Sequence, residues 1–584
     1  MTVSYEAPLA MMRLALEQAA RLSSLDALAA AAEALTDLAP AILESAARLA
    51  GEQLSRLNRI GDAAGAQLVG ATVTTAPGFK EAYRRFCADG WPALAAPPTA
   101  GGQGLPMLIA AATTEMWGGA NLAFAMCPEA ASAAIEALLT HAEAPLRETY
   151  VPPLASGAWT ASMCLTEPQA GSDLSTLRTS AEPDGESWRL SGRKIFISWG
   201  DHDLTDNIVH LVLARAAGAP PGVRGLSLFL VPKRLPGPDA PLNDIRAIAL
   251  EHKMGIRGSP TCAMALGEHG GARGWLVGAL HGGLECMFTM MNHMRLGVGL
   301  HSVGLAERAR QLALAYAQER LQGRNAAGAQ RPIIEHADVR RMLLTMSVLT
   351  HASRCLAYSA AATLDVARAA PSEVERARAT RRLALLTPLV KAWCSDTATE
   401  VASLGVQVHG GMGYMDDCEI SQIYRDSRIG SIYEGTNYIQ AQDLLVRKVL
   451  RVEFDTFVAW LDEMAEAARS LPEERALEGL RSGLASECAE LARTAAQLTR
   501  VDPEALGGAA CAFLSWLGIV AGAWQWAETA RGARAAPLTE SRAAALIGGA
   551  AFYAAHVLPR ARAFAATVTG GASALAGVAP TDLA

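Results

Sequence analysis

The spacing of apolar residues along the chain predicts a mainly helical first unit. Between residues 14 and 53, Ala and Leu recur every three or four positions among Glu and Arg, which is the period of an amphipathic helix. Residues 65–79 break that period, and the Gly/Pro-rich residues 97–106 form a loop between two further helical stretches. We therefore predict an N-terminal α-helical domain, with an extension at its start, over residues 1–160.

The pattern changes at about residue 161, where alternating or β-branched runs replace the helical period. Residues 188–198, 207–216 and 225–233 are such runs, and turn-forming Pro, Gly and Asp residues separate them. This pattern predicts a compact β domain over residues 161–280.

Helical periodicity returns after the β domain and persists to the end of the chain. It extends over residues 284–324 and again over residues 333–370, lengths that are typical of a helix bundle. We predict a C-terminal bundle domain over residues 281–450 and an additional α-helical domain over residues 451–584. The order of helices, strands and helices indicates an α+β fold.

Local signals mark the ends of the later helices. Ser372 and Glu375 form a capping-box pattern at the start of a third long helix, and Pro388 predicts a kink or a restart within it. Gly410 lies just beyond its end, and a further helix is predicted to start near Thr436.

One uncharged stretch, residues 505–527, is long enough to cross a membrane. Its Gly, Ala, Ser and Gln residues dilute its apolarity, and no Lys/Arg cluster flanks it. We therefore expect a buried helix, packed on the body of the protein or on a partner subunit, and no membrane insertion.

Composition and charge exclude several classes of function. The 51 Lys and Arg residues against 58 Asp and Glu residues leave a net charge of −7, which gives no support for a nucleic-acid partner. The 10 cysteines include no C-x-x-C pair, and the N-terminus has no signal-peptide pattern, so we expect a cytoplasmic protein. Dinucleotide-binding, phosphate-loop and metal-ligand motifs are also missing from the sequence.

Three segments carry candidate chemistry. Residues 164–173 join the helical and β units and are rich in Thr, Gly and Ser, which suits a cofactor but also an ordinary interdomain turn. In residues 193–207, strand alternation places Phe196 and Ser198 on one face, where they would flank a planar ring or simply pack. In residues 425–440, an acidic residue stands in an apolar, Gly-bearing context directly before a helix start.

Together these segments resemble the acyl-CoA dehydrogenase family of flavoenzymes. The motifs T-E-P-x-A-G-S-D (166–173), K-x-F-I-S (194–198), Q-V-H-G-G (407–411) and Y-E-G-T (433–436) occur in the order of the family and cover about residues 80–450. The long N-terminus and the helical tail resemble the long subgroup, which includes 3-methylmercaptopropionyl-CoA dehydrogenases. The resemblance implies a central β-barrel, a C-terminal four-helix bundle and one FAD per subunit.

The resemblance also implies a set of FAD-binding positions. Those in the helical–β junction, the β domain and the loop after Glu434 are Leu165, Thr166, Gly171, Ser172, Phe196, Ser198 and Thr436. Those that a neighbouring subunit would supply are Arg320, Gln407, Gly410 and Gly411. A homodimer or homotetramer is therefore expected.

Glu434 matches the catalytic glutamate of the family, which takes the α-proton of an acyl-CoA thioester. One branch of the family carries its base immediately before an arginine that matches Arg295, and here that position is Met294, which cannot take a proton. Ser172, Arg295 and Glu434 are the expected substrate-binding residues. The sequence departs from the family at Asn292, where an aspartate is usual, and at Tyr438, where glutamine is frequent.

The implied activity is FAD-dependent α,β-dehydrogenation of an acyl-CoA, either 3-methylmercaptopropionyl-CoA or a fatty acyl-CoA, with an electron-transferring flavoprotein as acceptor. Two alternatives use the same fold. A flavoprotein oxidase would pass its electrons to oxygen; Glu rather than Asp at position 434 weakens a nitroalkane-oxidase version, and the run of long-dehydrogenase motifs favours the dehydrogenase. A DNA-binding damage-response flavoprotein needs a basic tail, whereas residues 451–584 carry eleven arginines, no lysine and fifteen carboxylates.

Overall fold

The computed structural model describes residues 4–237, 239–324, 327–502, 505–535, 539–576, 578 and 581. The first unit contains seven helices and one hairpin: α1 (Leu9–Ser23), α2 (Ala29–Glu33), α3 (Ala39–Leu49), α4 (Ser55–Ala64), β1 (Gln67–Val69), β2 (Thr72–Thr74), α5 (Phe79–Ala88), α6 (Met107–His141) and α7 (Ala144–Ala155). The hairpin β1–β2 lies where the helical period breaks. Short π-helical segments, Ala34–Leu38 and Ala50–Leu54, join α2, α3 and α4 end to end.

Helix α6 has a local break in its middle. Asn121 has φ −164° and ψ 91°, which are extended rather than helical values. Its Oδ1 accepts a hydrogen bond from the backbone N of Phe124 at 3.1 Å, so Asn121 caps the second half of the helix. Both halves are buried between the β unit and the later helices, because nearly every residue from Met107 to Leu138 is inaccessible.

The β unit is a partly closed barrel. Its strands are β3 (Trp159–Cys164), β4 (Ser180–Asp184), β5 (Ser187–Ser198), β6 (Asn207–Ala216), β7 (Leu226–Pro232), β8 (Ile245–Leu250), β9 (Thr261–Leu266) and β10 (Ala272–Val277). They are ordered β10-β7-β6-β4-β5-β9-β8, and β10 also pairs with β5, which closes five of them into a ring. Strand β3 pairs parallel to β6 and connects the barrel to the helical unit.

The next unit is built on three long helices. Its elements are α8 (Gly283–Glu319), β11 (Leu321–Arg324), β12 (Gln330–Pro332), α9 (Ala337–Ala369), α10 (Glu373–His409), α11 (Glu419–Ser427) and α12 (Asn437–Gln442). A π-helical segment, Asp443–Val449, extends α12. The buried faces of α6, α8, α9 and α10 form one continuous apolar core.

The bounds of two predicted helices in this unit are wrong. The helix expected over residues 284–324 ends at Glu319, and the one expected from residue 333 begins at Ala337, because the intervening chain forms the hairpin β11–β12. Helix α10 continues through Pro388 without a restart. The predicted cap is confirmed, since the Ser372 side chain accepts a hydrogen bond from Glu375 N.

The tail consists of α13 (Phe454–Arg469), α14 (Glu478–Leu498), α15 (Gly507–Ala535), α16 (Glu540–His556) and α17 (Ala561–Ala576). By length and composition, α6 and α15 are apolar enough to span a membrane, but 83% and 78% of their most apolar windows are buried inside the protein. Side chains of α15 bond to the body: Trp526 Nε1 donates to the backbone O of Val348 at 3.0 Å, and His351 Nε2 lies 3.0 Å from Thr529 Oγ1. The expectation of a buried helix in this stretch is confirmed, and the body of the same chain covers it.

Candidate active site

Glu434 lies in a tight turn that leads into α12. It adopts a left-handed conformation with φ 56°, and the next residue, Gly435, has φ 80°. A left-handed backbone is uncommon for a residue with a side chain and costs about 1 kcal/mol or more, so surrounding contacts must hold it. The Thr436 side chain caps α12 by accepting a hydrogen bond from Ile439 N at 3.3 Å, which confirms the predicted helix start.

The carboxylate of Glu434 is free to take up a proton. Its Oε2 is inaccessible to solvent and accepts no hydrogen bond from any residue that the structure describes. Burial raises the pKa of Glu434 to about 7, although the positive charges of Arg295 and Lys391 act in the opposite direction. A carboxylate with this pKa is partly ionised near neutral pH and binds a proton strongly, as a general base requires.

Arg295, on α8, points towards the turn that carries Glu434. Its Nε lies 3.4 Å from the backbone O of Glu434, and its Nη1 donates to Asn292 Oδ1 at 3.0 Å. The guanidinium also lies over the ring of Phe288, 5.6 Å from its centroid. The structure therefore brings Arg295 and Glu434 together, and Asn292 still accepts a hydrogen bond from the arginine although it replaces the usual aspartate.

Sequence reasoning missed Lys391, a buried lysine on α10. Its Nζ donates to the backbone O of Gly435 at 2.7 Å and to Asn437 Oδ1 at 3.0 Å. The sequence contained one signal, because this lysine is the single charged residue in the otherwise uncharged run 383–395. A lone cation in such a run is rarely buried without a specific polar partner.

The two predicted flavin segments meet through Lys194. Its Nζ is fully buried and donates to the backbone O of Leu165 at 2.9 Å and to Glu167 Oε1 at 2.9 Å, while Ile195 N donates to the backbone O of Thr166 at 2.9 Å. Strand β5 is thus joined to the T-E-P-x-A-G-S-D turn. Gly171 and Ser172 lie on the exposed part of that turn, and a Cβ at Gly171 would meet no atom within 4 Å.

Phe196 lies at a bulge of β5. The pairing of β5 with β9 shifts between Lys194 and Ile197, and Phe196 within that shift has φ 59°. Its side chain is 60% exposed, which is unusual for an aromatic residue in a strand, while Ser198 is half-buried at the end of the strand. An exposed aromatic ring of this kind can stack on a planar heterocycle.

Trp199, which follows Ser198, is completely buried between the barrel and α6. Its Nε1 donates to the backbone O of Ala123 at 3.2 Å, just after the break in α6. Trp199 therefore ties the end of β5 to α6.

The other predicted flavin residues lie elsewhere in the chain. Arg320 follows the C-terminal end of α8 and is exposed, as are Gln407, Gly410 and Gly411 at the C-terminal end of α10. These two helix ends are adjacent, since the rings of Tyr316 and His409 stack at 4.4 Å. Arg320 is 25 residues beyond Arg295 on α8, or about 37 Å at 1.5 Å per residue. One chain therefore does not bring them to the Glu434 site.

A cavity of about 310 Å³ lies where the first unit meets α8 and α9, lined by aromatic rings such as Trp91 and Trp117 and by a charged cluster. In that cluster His293 lies between Glu129 and Glu136, at 3.4 and 2.7 Å, and these carboxylates raise its pKa to about 10 despite burial. Glu434 does not line the cavity. Two positions separate His293 from Arg295, so they face roughly opposite sides of α8.

Comparison with known proteins identifies the family. Models of the acyl-CoA dehydrogenase N-terminal, middle and C-terminal domains match residues 65–158, 162–268 and 281–449. A 3-methylmercaptopropionyl-CoA dehydrogenase of Ruegeria pomeroyi is 42% identical over 548 residues, which cover 91% of this chain and 92% of that protein. The chain belongs to the acyl-CoA dehydrogenase family.

Solved structures of acyl-CoA dehydrogenases share the fold, including the tail. ACDH-11 of Caenorhabditis elegans, solved with C11-CoA, has a TM-score of 0.80 at 20% identity and covers 95% of this chain and 92% of that one. An acyl-CoA dehydrogenase of Bacillus anthracis, solved with FAD, has a TM-score of 0.75 at 20% identity over 91% of this chain and 88% of that one. A model described as acetyl-CoA dehydrogenase C-terminal like matches residues 457–579.

Family membership confirms the α+β fold, with its helical N-terminal domain, central barrel, C-terminal bundle and extra helical tail. It also confirms that the protein is an oxidoreductase of the acyl-CoA dehydrogenase class, and it favours neither the oxidase nor the DNA-binding alternative. The long subgroup suggested by the motifs is supported by the R. pomeroyi relative.

Proposed function

We propose that this acyl-CoA dehydrogenase binds FAD and oxidises its thioester with Glu434 as the base. The observation that carries this proposal is the Glu434 carboxylate, which lacks a hydrogen-bond partner at Oε2 among the described residues and has its pKa raised to about 7. A base must be ionised often enough to act and basic enough to hold the proton it removes, and this pKa meets both needs near neutral pH.

The reaction divides between the chain and its cofactor. FAD, when bound, supplies the acceptor for the hydride that leaves the β-carbon. Glu434 takes the α-proton, so that one hydrogen leaves as a proton and the other with its electron pair, and a carbon–carbon double bond forms next to the thioester. Arg295 and Lys391 hold positive charge near Glu434, which favours the ionised form that starts the reaction.

The residues on the barrel side fit a flavin. Phe196 offers an exposed ring, Ser198 and Thr166 offer hydroxyl groups, and the buried Lys194 fixes the turn that carries Leu165 and Thr166. Gly171 leaves open space where a side chain would otherwise stand. Ser172, beside it on the exposed turn, is assigned to the pyrophosphate of FAD or to the coenzyme A part of the substrate.

For the substrate we propose 3-methylmercaptopropionyl-CoA first and a fatty acyl-CoA second. The first choice is supported by the relative from R. pomeroyi, which is named for that thioester and matches this chain over almost its whole length. The second is supported by family membership alone. Electron-transferring flavoprotein is the proposed acceptor, and the cytoplasm the proposed location.

The distance along α8 supports an assembly of at least two subunits, a homodimer or a homotetramer. Arg320, Gln407, Gly410 and Gly411 cluster at one end of the bundle, about 37 Å along the helix from Arg295. Gly410 and Gly411 are exposed, and a Cβ at either position would meet no atom within 4 Å. They therefore leave room for the FAD of a partner subunit. Domain limits at residues 160, 280 and 450 are part of the same proposal.

Anaerobic titration tests the function. The purified protein is mixed with 3-methylmercaptopropionyl-CoA and with straight-chain acyl-CoAs of graded length, and flavin absorbance is followed for the wild type and for Glu434→Gln. Bleaching in the wild type alone supports the proposal, and the thioester with the highest kcat/KM identifies the substrate. Bound flavin that no thioester bleaches would contradict it. Rapid reoxidation by air, with no gain from added electron-transferring flavoprotein, would favour an oxidase.

A further inference from the structure

We propose that Lys391 is a positioning residue for the reaction: it locks the turn that carries Glu434 and supplies a positive charge that sets the proton affinity of the base. The proposal rests on the function proposed above. It starts from a lysine that is completely buried, far along the chain from Glu434, and bonded to the residue directly after it.

The turn needs an external lock. Glu434 and Gly435 both have positive φ, at 56° and 80°, and the first of these conformations is strained for a residue with a side chain. A turn of two such residues relaxes unless neighbouring groups hold its backbone carbonyls. Lys391 Nζ donates to the backbone O of Gly435 at 2.7 Å. Gln440 Nε2 donates over longer distances, to the backbone O of Glu434 at 3.2 Å and to that of Gly435 at 3.3 Å.

A short network anchors the lysine itself. Its Nζ donates to Asn437 Oδ1 at 3.0 Å, and Asn437 Nδ2 donates to Asp396 Oδ1 at 2.7 Å and to Ser395 Oγ at 3.0 Å. Asp396, Ser395 and Lys391 all lie on α10. The first residue of α12 is thereby fixed to α10 on one side, and the turn before it is fixed by the ammonium group.

The charge of Lys391 faces Glu434 rather than a bonded carboxylate. The charged groups that act on it are Glu434 from the turn, Asp396 from α10 and Arg295 from α8. Burial raises the pKa of Glu434, and two cations, Arg295 and Lys391, act in the opposite direction. The neighbouring Tyr433 has its pKa raised by burial and by the Glu434 carboxylate. Burial lowers the pKa of Lys391 to about 7, and the two carboxylates favour its charged form.

The sign of the effect follows from these charges. A nearby cation stabilises the carboxylate form, so removal of Lys391 raises the pKa of Glu434 further. Less base is then ionised at neutral pH, and the rate recovers as the pH rises. Loss of the lock acts separately, because a relaxed turn holds the carboxylate in the wrong place at every pH.

The test compares Lys391→Met, which removes donor and charge, with Lys391→Arg, which keeps both. Lys253→Met is the matched control, since Lys253 is a half-buried lysine whose Nζ donates to a backbone carbonyl, Ser259 O, at 2.8 Å, and not to the turn of Glu434. The rate of flavin bleaching by the best wild-type thioester is recorded against pH, together with flavin content. In a plot of rate against pH, the acid limb is the part where the rate rises as Glu434 ionises. For Lys391→Met we expect this limb to move to higher pH by about one unit, which is equivalent to a rate roughly tenfold lower at pH values below the limb. Lys391→Arg should restore most of the rate.

An unchanged acid limb in Lys391→Met, or a loss of rate that follows only a loss of flavin, would overturn this inference. If Lys391→Met does not fold, Lys391→Gln decides, because it keeps a donor without the charge and should still shift the acid limb. A wild-type flavin that no thioester bleaches overturns the proposed function and this inference with it. If a thioester bleaches the flavin of the wild type but the acid limb of Lys391→Met is not shifted, this inference alone is overturned.

Discussion

Lys194 and Glu167 form an ion pair of 2.9 Å in which both side chains are almost wholly buried. The same ammonium donates to the backbone O of Leu165 and of Leu213, at 2.9 and 2.8 Å. On the other side, Glu167 accepts hydrogen bonds from the backbone N of Arg178 and of Thr179. One pair thus fixes the turn that carries Leu165 and Thr166 to the barrel.

Lys194→Met should therefore lose flavin and stability together. It leaves a buried carboxylate without its cation, a change that costs about 3–5 kcal/mol in the free energy of unfolding. Denaturant unfolding and the ratio of flavin to protein measure the two effects. The control is Arg193→Gln, one residue away, where an exposed arginine lies 3.7 Å from Glu268 and little change is expected. Full flavin content in Lys194→Met would show that the pair does not shape the cofactor site.

Much of this site was predictable because its signals are local in sequence. Glu434 stands in a four-residue motif, Thr436 shows its capping role by its type and position, and Phe196 and Ser198 are separated by the strand period. Lys391 and the cluster of His293, Glu129 and Glu136 were not predictable in the same way. Their meaning depends on partners that are tens to hundreds of positions away, and no local pattern specifies which helices will pack together.

Glu434→Gln should raise the free energy of unfolding at alkaline pH while it abolishes flavin reduction. The folded pKa of about 7 is above the ordinary value of 4.5, so the ionised carboxylate is less favourable in the folded state than in the unfolded chain. The cost is absent below pH 4.5, grows as the pH rises from 4.5 to about 7, and is fully present above that pH. Although Oε2 is buried, Glu434 as a whole is half-buried and solvent screens part of this cost, so we expect a gain of about 1–2 kcal/mol.

Denaturant unfolding of the wild type and of Glu434→Gln at one pH below 4.5 and one above 7 measures this difference. The two proteins should have similar stability at the lower pH and separate at the higher one. A gain that is the same at both values would show that the carboxylate charge is not its cause.

His293→Gln should destabilise the protein in a definite pH window. His293 has its pKa raised from 6.5 to about 10, so its contribution is fully present below pH 6.5 and is lost as the pH rises towards 10. Glu136 has its pKa lowered from 4.5 to about 2, so its contribution is present above pH 4.5 and is lost as the pH falls towards 2. The stability difference from the wild type should be largest between these limits, at about 3–5 kcal/mol, because the buried Glu129 loses its cation, while the half-buried Glu136 keeps Arg368.

The measurement is the free energy of unfolding of both proteins at several pH values. His141→Gln serves as a control on the same pair of helices, since His141 Nε2 forms a hydrogen bond with the hydroxyl of Thr289, at 2.7 Å. That variant should cost about 1 kcal/mol, because it loses one hydrogen bond and no ion pair. A His293→Gln penalty that is flat with pH would contradict the assignment of a charged imidazole.

Two glycines of α15 test how tightly the tail is packed on the body. A Cβ at Gly518 would lie 2.3 Å from Cδ1 of Trp393 on α10, whereas a Cβ at Gly532, on the same helix, would meet nothing within 4 Å. Gly518→Ala should therefore destabilise the protein by about 1–3 kcal/mol through overpacking. Gly532→Ala should stabilise it by about 0.5–1 kcal/mol, because alanine loses less backbone entropy than glycine in a helix. Thermal unfolding of the two variants in parallel measures this, and equal shifts in Tm would mean that α15 does not press against Trp393.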